Sequence, residues 1–454
     1  MGAVKSTEKP KLERQLRINS DAACSEAARI IAESHVLLLC TGAGFSADSG
    51  LAVYADVAQV PAYERLGLTY KDICNPQYLH EQPELFWGFW GQCFNDYRDT
   101  PPHEGYCIIN KWAERWFRHS VTAESLRSSF RANHVVPCGE HVNEPYVVSD
   151  HPGAFFAFTS NVDAHHYDWF QACEIRECHG NVELYQCAAS RRACRFASLV
   201  PSGQDGQDRL GICGDAVWRC PPDYHFHVDS ETMLAPASNG TTQLTDGVVV
   251  NRENKQPQIS LAASNKQASC QCSCFGSDRA KEAAAVGQAR GGGRPFALRY
   301  MPDSAAIRNA ACQKGFAGNH PICPSCEGPA RPAIQMFGDY GWNDVPSQRR
   351  RWCTWIETVG ALAKEMARAT SSLRIAILEI GCGSRVPTVR KNSEQQLRML
   401  ESNGGNVRLI RINPEMNDVL ADLPEYQPMI PVLSIMARGL DSLRKIDAAM
   451  NVES

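Results

Sequence analysis

Residues 36–51 read VLLLCTGAGFSADSGL, and this stretch decides the fold class of the 454-residue chain. The run Val36–Thr41 is almost continuously apolar, as expected of a strand buried on both faces of a parallel sheet. A glycine turn follows at once with Gly42, Ala43 and Gly44. A strand, a glycine turn and then a helix open a Rossmann-type unit, so the sequence predicts an α/β fold.

Further elements of the same kind recur along the chain. A helix is predicted over 22–33, with Ser20 or Asp21 as its cap. Three more buried strands are predicted over 154–159, 373–380 and 407–412. Their polar or glycine-rich ends are Ser160-Asn161, Gly381-Cys382-Gly383-Ser384 and Asn413-Pro414-Glu415. Ligands bind at the carboxyl ends of strands in open α/β sheets, so these ends predict one binding crevice. Ordinary turn chemistry would explain each end separately.

The length of the chain predicts one large domain with a smaller module, because single cores stop growing near about 250–300 residues. We assign 21–185 and 333–447 to a Rossmann-type domain whose parallel sheet is flanked by helices. The aromatic-rich segment 54–112 predicts helices that form a lid or a small subdomain, inserted within 54–150, in which most of the rings pack in a core. A smaller module covers 186–332 and contains a low-complexity insertion at about 235–294; residues 1–20 form a flexible tail.

Bulk composition limits the classes of partner. The net charge of −4 gives no support for direct nucleic-acid binding. No apolar run approaches the roughly 20 residues that a transmembrane helix requires. The first residues lack an apolar signal core, which predicts an intracellular protein, cytoplasmic or nuclear. Gly2 with Ser6 weakly matches the N-myristoylation pattern, and a frayed polar tail is the alternative.

Some of the 20 cysteines have the spacing of a metal site. Cys323 and Cys326 form a CxxC pair, which is half of a tetrahedral zinc site. Cys187 is the first candidate for the other half, with either Cys194 or Cys213 as its partner. A closed all-cysteine site would be structural rather than catalytic. A redox dithiol is the alternative for the CxxC pair, although no thioredoxin-like context surrounds it.

Two polar motifs lie in the middle of the chain, Thr159-Ser160-Asn161-Val162-Asp163 and Cys178-His179-Gly180. A lone histidine is more often a packed or surface residue than a catalyst. The pKa of an imidazole lies near neutrality, however, which suits removal of a proton from a ribose hydroxyl. Glycines before a helix also let the backbone approach a pyrophosphate. Together the motifs predict cleavage of the nicotinamide–ribose bond of NAD.

These motifs resemble the sirtuin family of NAD-dependent protein deacylases over roughly 22–443, with the middle insertions excluded. Residues 42–51 are similar to the family's GAGxSxxSGI loop, 160–163 to its QNID strand end, and 179–180 to its HG. Residues 323–339 are similar to CPxCGGxLRPxxxxFGE, 381–384 to its GTS-type loop, and 413–415 to its INxE adenosine contact. The detail resembles a branch with TSNVD, MFGDWGW and EIGxGxxxPTVR, here 159–163, 336–342 and 379–390.

The resemblance implies NAD as co-substrate, an acylated-lysine protein or peptide as substrate, and His179 as the general base. It implies an NAD site formed by Gly42, Ala43, Gly44, Ser46, Ser49, Gly50, Tyr54, Ser160, Asn161, Asp163, Gly381, Gly383, Ser384, Asn413 and Glu415. It implies an edge strand over 336–339 that pairs with the substrate through Met336, Phe337 and Gly338. One structural Zn²⁺ would be held by Cys187, Cys213, Cys323 and Cys326. Cys213 is preferred because Val217 and Trp218 follow it as in that branch.

One departure from the family concerns the end of the glycine loop. The family continues with Pro-x-Phe-Arg, whereas this chain has Ala52, Val53, Tyr54 and Ala55. The missing arginine removes a cation near the phosphates and the reacting ribose, and Ser160 replaces the family's Gln. Two alternatives to a deacylase therefore stay open. One is an NAD glycohydrolase or protein ADP-ribosyltransferase, and the other is a non-catalytic NAD-binding module.

Overall fold

The structure is a computed structural model that describes residues 9–53, 59–135, 148, 150–189, 217–237, 315–324, 326–419 and 432–452. Several sequence predictions fall outside these residues. They concern the possible myristoylation site, Tyr54, Ala55, Cys194, Cys213 and nearly all of the low-complexity insertion.

The strands are β1 (Val36–Thr41), β2 (Phe155–Thr159), β3 (Ile175–Glu177), β4 (Gly180–Cys187), β5 (Val217–Arg219), β6 (Ala330–Ile334), β7 (Arg374–Ile380), β8 (Asn406–Ile412) and β9 (Val432–Ile435). Six of them form a sheet in the order β3-β2-β1-β7-β8-β9, and every neighbouring pair is parallel. The predicted Rossmann-type sheet is therefore confirmed. The four predicted strands are present with bounds that differ by at most one residue.

The longer helices are α1 (Lys9–Ile18), α2 (Ser20–Glu33), α7 (Pro83–Asp99), α8 (Glu104–Trp112), α9 (Val121–Asn133), α10 (Pro346–Arg368), α11 (Thr388–Ser402) and α13 (Gly439–Val452). Short helices are α3 (Ala43–Ala47), α4 (Pro61–Arg65), α5 (Tyr70–Ile73), α6 (Tyr78–Glu81) and α12 (Met416–Val419). Within the described part of the chain, no helix combines the length and apolarity that a membrane crossing requires.

The predicted cap of α2 is wrong. The helix begins at Ser20, and Asn19 is the residue before it, with no capping side-chain hydrogen bond. The reason is that α1 ends at Ile18, so that Asn19 alone separates the two helices. The Asn19 N–H donates to Gln15 O at 3.0 Å, and Asn19 O accepts from Ala23 N at 2.9 Å. The backbone therefore passes from α1 into α2 without the orphan N–H groups that Ser20 or Asp21 would have satisfied.

The large sheet carries the main hydrophobic core. All six residues of β1 are buried, as are the five of β2, which explains why their sequences are apolar runs rather than alternating ones. Helices α2, α8 and α13 pack together, and α10 packs against α9 and β3. Helices therefore flank the sheet, while its carboxyl edge is left for the loops that follow the strands.

A second sheet begins immediately after β3. It has the antiparallel order β5-β4-β6, and β4 starts at Gly180. Gly180 has φ +74°, and a Cβ there would lie 1.9 Å from Ala333 O. Glycine is therefore required where the chain turns from one sheet into the other. This turn places His179 at the junction of the two sheets.

The predicted helical lid is present as α4 to α7. Its aromatic rings, including Phe86, Trp87 and Phe94, are buried in a core separate from that of the large sheet. Trp87 stacks on Tyr185 of β4 with ring centroids 6.2 Å apart. The Arg98 guanidinium forms a buried ion pair with Glu183. The lid is thus fixed to the small sheet.

Candidate functional site

A cavity of about 240 Å³, called the cleft below, lies between the carboxyl ends of the central strands and the lid. It brings together predicted site residues from four separate stretches of sequence. Those that line it are Ala43, Ser46, Ser160, Asn161, Asp163, His179, Met336 and Phe337. The remaining lining residues come from the loops after β1, β2 and β7, from α5 and the residue after it, from α7, and from the end of β6 and the residue after it.

The polar side of the cleft is a connected hydrogen-bond network. The Asn161 amide donates to Ser46 Oγ at 2.9 Å, and the Ser46 hydroxyl in turn donates to Asp163 Oδ2. Asp163 Oδ1 accepts from the backbone N–H of His165 at 2.9 Å. The Asn161 N–H donates to Thr159 Oγ1 at 3.0 Å, which fixes the chain as it leaves β2. The loop after β1 and the end of β2 are thereby locked together around one amide and one carboxylate.

One acceptor of this network has no partner. Asn161 Oδ1 is buried and accepts no hydrogen bond from any described residue. A buried polar atom without a partner costs free energy, and such atoms occur where a ligand or water completes the site. An amide N–H of a ligand, such as the nicotinamide carboxamide, matches this acceptor.

His179 lies on the wall of the cleft at the junction between the sheets. Its carbonyl oxygen accepts from Gln335 N at 2.9 Å, and its Nε2 lies 3.2 Å from the Thr388 hydroxyl. Burial, assisted by the positive charge of Arg176, lowers the pKa of His179 to about 4. The imidazole is therefore neutral near pH 7 and able to accept a proton.

The low pKa of His179 predicts the pH dependence of any reaction that uses it as a base. Because the base form is lost only as the pH falls toward about 4, kcat/KM should be level from about pH 6 to 8. It should decline only below about pH 5. The measurement is a kcat/KM–pH profile, and a midpoint near 6.5, the ordinary histidine value, would contradict this assignment.

The glycines of the first loop hold two loops in backbone contact. The N–H groups of Gly42 and Gly44 donate to Ile380 O and Gly381 O at 3.0 and 3.1 Å. The predicted contact of this loop with NAD stays a prediction. A Cβ on Gly44 would lie 2.7 Å from Gly381 Cα, and Gly381 itself has φ +65°. These glycines allow the loops after β1 and β7 to pack in backbone contact.

Replacing Gly44 by alanine is expected to lower the free energy of unfolding by about 1–3 kcal/mol, because the new methyl group overlaps backbone atoms that cannot rotate away. Gly318→Ala is the matched control, since its nearest neighbour is Ala237 O at 3.4 Å. Urea denaturation of both variants measures the difference. A Gly44→Ala protein as stable as the control would show that the two loops are not in contact.

Other predicted NAD-binding residues lie at neighbouring strand ends but do not line the cleft. Ser49 Oγ accepts from His103 N at 3.0 Å, and Asn413 Oδ1 accepts from Glu415 N at 2.9 Å. The Ser384 N–H donates to Asp418 Oδ1 at 2.9 Å. Gly50, Gly381 and Gly383 belong to the same rim, formed by the loops after β1, β7 and β8. Their predicted contacts with NAD remain proposals.

The predicted edge strand over 336–339 is not a strand. Strand β6 ends at Ile334, and the chain then turns at Phe337 and Gly338, where Gly338 has φ +66°. The buried Asp339 carboxylate closes this turn by pairing with Arg331 and accepting from Gly341 N at 2.9 Å. One backbone bond, from Phe337 N to Cys74 O at 3.1 Å, ties the turn to the lid.

Sequence reasoning missed several residues that shape the site. Thr388 contacts His179 from the first turn of α11, and Asp418 holds Ser384 from α12. Cys74 and Cys93 line the cleft from the lid. Thr388 lies inside the PTVR motif, which could have indicated it. Nothing in the local sequence of the others marks them, because their roles depend on contacts between distant segments.

Three of the proposed zinc ligands lie together. The sulfur atoms of Cys187, Cys323 and Cys326 are all buried and lie within 4.8 Å of one another. Cys187 Sγ and Cys326 Sγ are 3.6 Å apart. Tetrahedral coordination with Zn–S bonds of about 2.3 Å requires sulfurs about 3.8 Å apart, so this geometry fits a zinc ion. Cys213, the preferred fourth ligand, lies outside the described residues and stays a prediction.

Comparison with known proteins adds a distant relationship. No family model matches the chain. Over 106 residues the chain is 24% identical to an NAD-dependent protein deacylase of Thermococcus sibiricus. The alignment covers 23% of the chain and 40% of the length of the Thermococcus protein.

Solved structures similar to the chain include a Sir2 homolog–NAD complex, with 14% identity, a TM-score of 0.41 and coverage of 94% of both chains. A Sir2–p53 peptide–NAD⁺ complex is 12% identical, with a TM-score of 0.40 and coverage of 94% of this chain and 98% of that one.

Proposed function

We propose that this chain is an NAD-dependent protein-lysine deacylase that releases nicotinamide and acyl-ADP-ribose. The observation that carries the proposal is the cleft itself. It combines a neutral His179 with the Ser46–Asn161–Asp163 network in one cavity. A proton acceptor and a carboxamide-binding group, side by side, are what cleavage of NAD and acyl transfer to its ribose require.

The polar network would hold the nicotinamide end of NAD. Asn161 Oδ1 is available to accept from the carboxamide N–H, and the Asp163 carboxylate supplies negative charge near the positively charged nicotinamide ring. Bound NAD supplies a ribose carbon at which the acyl oxygen can displace nicotinamide. The buried position of these groups excludes water, which would otherwise compete for that carbon.

His179 would take the proton of a ribose hydroxyl so that this hydroxyl can attack the acyl carbon. The Thr388 hydroxyl at 3.2 Å from Nε2 fixes the orientation of the ring. The lowered pKa keeps the ring in its proton-accepting form at physiological pH. It also makes the ring a weaker base, so its catalytic contribution depends on accurate positioning beside the hydroxyl.

The experiment that tests the proposal is nicotinamide release by the purified chain, with and without an acyl-lysine peptide. Release that requires the peptide is expected. Release without peptide would instead favour an NAD glycohydrolase or an ADP-ribosyltransferase. The replacement of the family arginine by Ala55 is the reason for considering these two activities. Binding of NAD without any release would favour the non-catalytic module.

The zinc module is proposed to act through structure alone. An all-cysteine site has no open coordination position, so the ion would not contact substrate. Strand β4 carries Cys187 at one end and follows His179 at the other, and its pairing with β6 fixes the turn at Phe337. Zinc bound to Cys187, Cys323 and Cys326 would therefore stabilise the small sheet that forms one side of the cleft.

A further inference from the structure

We propose that the cleft accepts a neutral, apolar acyl group longer than acetyl on the substrate lysine. This inference rests on the proposed deacylase function and names the acyl class that the enzyme would remove. It comes from the apolar residues that line the same cleft as the polar network. We call these residues the aromatic wall, formed by Tyr70, Cys74, Phe89, Trp90, Cys93 and Phe337.

The rings of the aromatic wall form a continuous apolar surface. The ring centroid of Tyr70 lies 6.1 Å from that of Phe89 and 5.9 Å from that of Phe337. Phe89 and Trp90 are in edge contact, with centroids 5.1 Å apart. The wall therefore connects helices α5 and α7 of the lid to the turn after β6. A cavity bounded in this way favours apolar ligand groups, because they leave water without losing hydrogen bonds.

The wall contains no cation to meet an acidic acyl group. Among the described residues that line the cleft there is no lysine or arginine, and Asp163 adds an acidic group. The arginines of α7 and β6, which contribute lining residues, are already paired, and Lys71 of α5 and Arg385 after β7 are exposed and do not line the cleft. Arg98 of α7 binds Glu183, and Arg331 of β6 binds Asp339 at 2.6 and 2.9 Å. A succinyl carboxylate would therefore be desolvated without a partner, which is strongly unfavourable.

The two thiols of the wall also behave as apolar groups. Burial raises the pKa of Cys74 to about 12 and raises that of Cys93 further. Both thiols are therefore neutral at physiological pH and resemble small hydrophobic side chains. Cys93 lines the cleft from α7, so a larger side chain such as leucine at this position would reduce the cavity.

Peptide affinity is expected to follow the number of buried methylene groups. Each one buried increases affinity by about fourfold at most, so a hexanoyl-lysine peptide should bind at least about tenfold more tightly than its acetyl counterpart. A succinyl-lysine peptide should bind at least about tenfold more weakly than the hexanoyl peptide. The measurement is fluorescence anisotropy of one labelled peptide carrying each acyl group in turn, with the full chain and without NAD.

A matched pair of variants tests whether the aromatic wall sets this order. Cys93→Leu reduces the cavity that would hold the acyl chain, and it should lower the hexanoyl-to-acetyl affinity ratio at least about fivefold. Cys93→Ser nearly preserves volume and should keep the ratio within about twofold of that of the unsubstituted chain. If Cys93→Leu does not fold, the affinity order of the unsubstituted chain decides by itself.

Different experimental results would contradict the inference about the acyl group and the proposed deacylase function. Equal or stronger binding of the succinyl peptide, or binding of acetyl as tight as hexanoyl, would overturn the inference even if nicotinamide release depended on peptide. Tight hexanoyl binding without any nicotinamide release would instead contradict the deacylase function and support the acyl preference of the wall.

Discussion

Replacing His179 by alanine is expected to lower acyl-lysine turnover by about 10²–10⁴-fold, the usual range for a general base. NAD affinity should change little, because the imidazole lies on the wall of the cleft and the Ser46–Asn161–Asp163 network does not include it. Turnover is measured as peptide-dependent nicotinamide release, and NAD affinity by calorimetry.

Thr388→Val is the companion variant for this prediction. It removes only the hydroxyl 3.2 Å from His179 Nε2 and keeps the shape of the side chain. A smaller loss, about tenfold, is expected, because the ring loses its orienting contact but keeps its basicity. Full turnover in His179→Ala would show that another group removes the proton, and the assignment of the base would be wrong.

Replacing Cys323 by serine is expected to cause loss of zinc and unfolding of the small sheet. Structural zinc contributes free energy of folding directly, about 10–16 kcal/mol in small zinc-binding peptides. Cys323 is fully buried beside Cys187 and Cys326, so the remaining sulfurs cannot close a tetrahedral shell around the ion. Zinc content by atomic absorption and thermal unfolding are the measurements.

Cys353→Ser provides the control for this second prediction. Cys353 is exposed on α10 and does not belong to the cluster, so its replacement should leave zinc content and unfolding temperature unchanged. One zinc per chain in Cys323→Ser would contradict the ligand set. A Cys213→Ser variant would test the fourth ligand, for which the resemblance favours Cys213 over Cys194.

The large sheet could be predicted from sequence because its strands are buried on both faces. Strands such as β1 and β7 then appear as apolar runs that end in glycine or polar residues. The carboxyl ends of these strands placed Ser46, Asn161 and Asp163 near one another by topology alone. The small helices of the lid and their aromatic residues were also indicated by composition.

The shape of the cleft could not be predicted in the same way. Residues 336–339 read as a strand, but Asp339 pairs with Arg331 and the backbone turns at Gly338. The N–H groups of Gly42 and Gly44 donate to the end of β7 and to Gly381, which brings the loops after β1 and β7 into backbone contact. The contact between the two loops joins distant segments, whereas the turn at Gly338 is closed by Asp339 and Arg331, which are eight residues apart. The aromatic wall could not be predicted either, because its rings look like ordinary core residues in the sequence.

The most direct test of the central claim is mass-spectrometric analysis of the products formed from NAD and a hexanoyl-lysine peptide. The account predicts equal amounts of nicotinamide, deacylated peptide and hexanoyl-ADP-ribose from the unsubstituted chain, and deacylated peptide and hexanoyl-ADP-ribose formed at least about 100-fold more slowly by His179→Ala. Nicotinamide accompanied by free ADP-ribose, with the peptide still acylated, would contradict it and identify NAD hydrolysis as the reaction of this cleft.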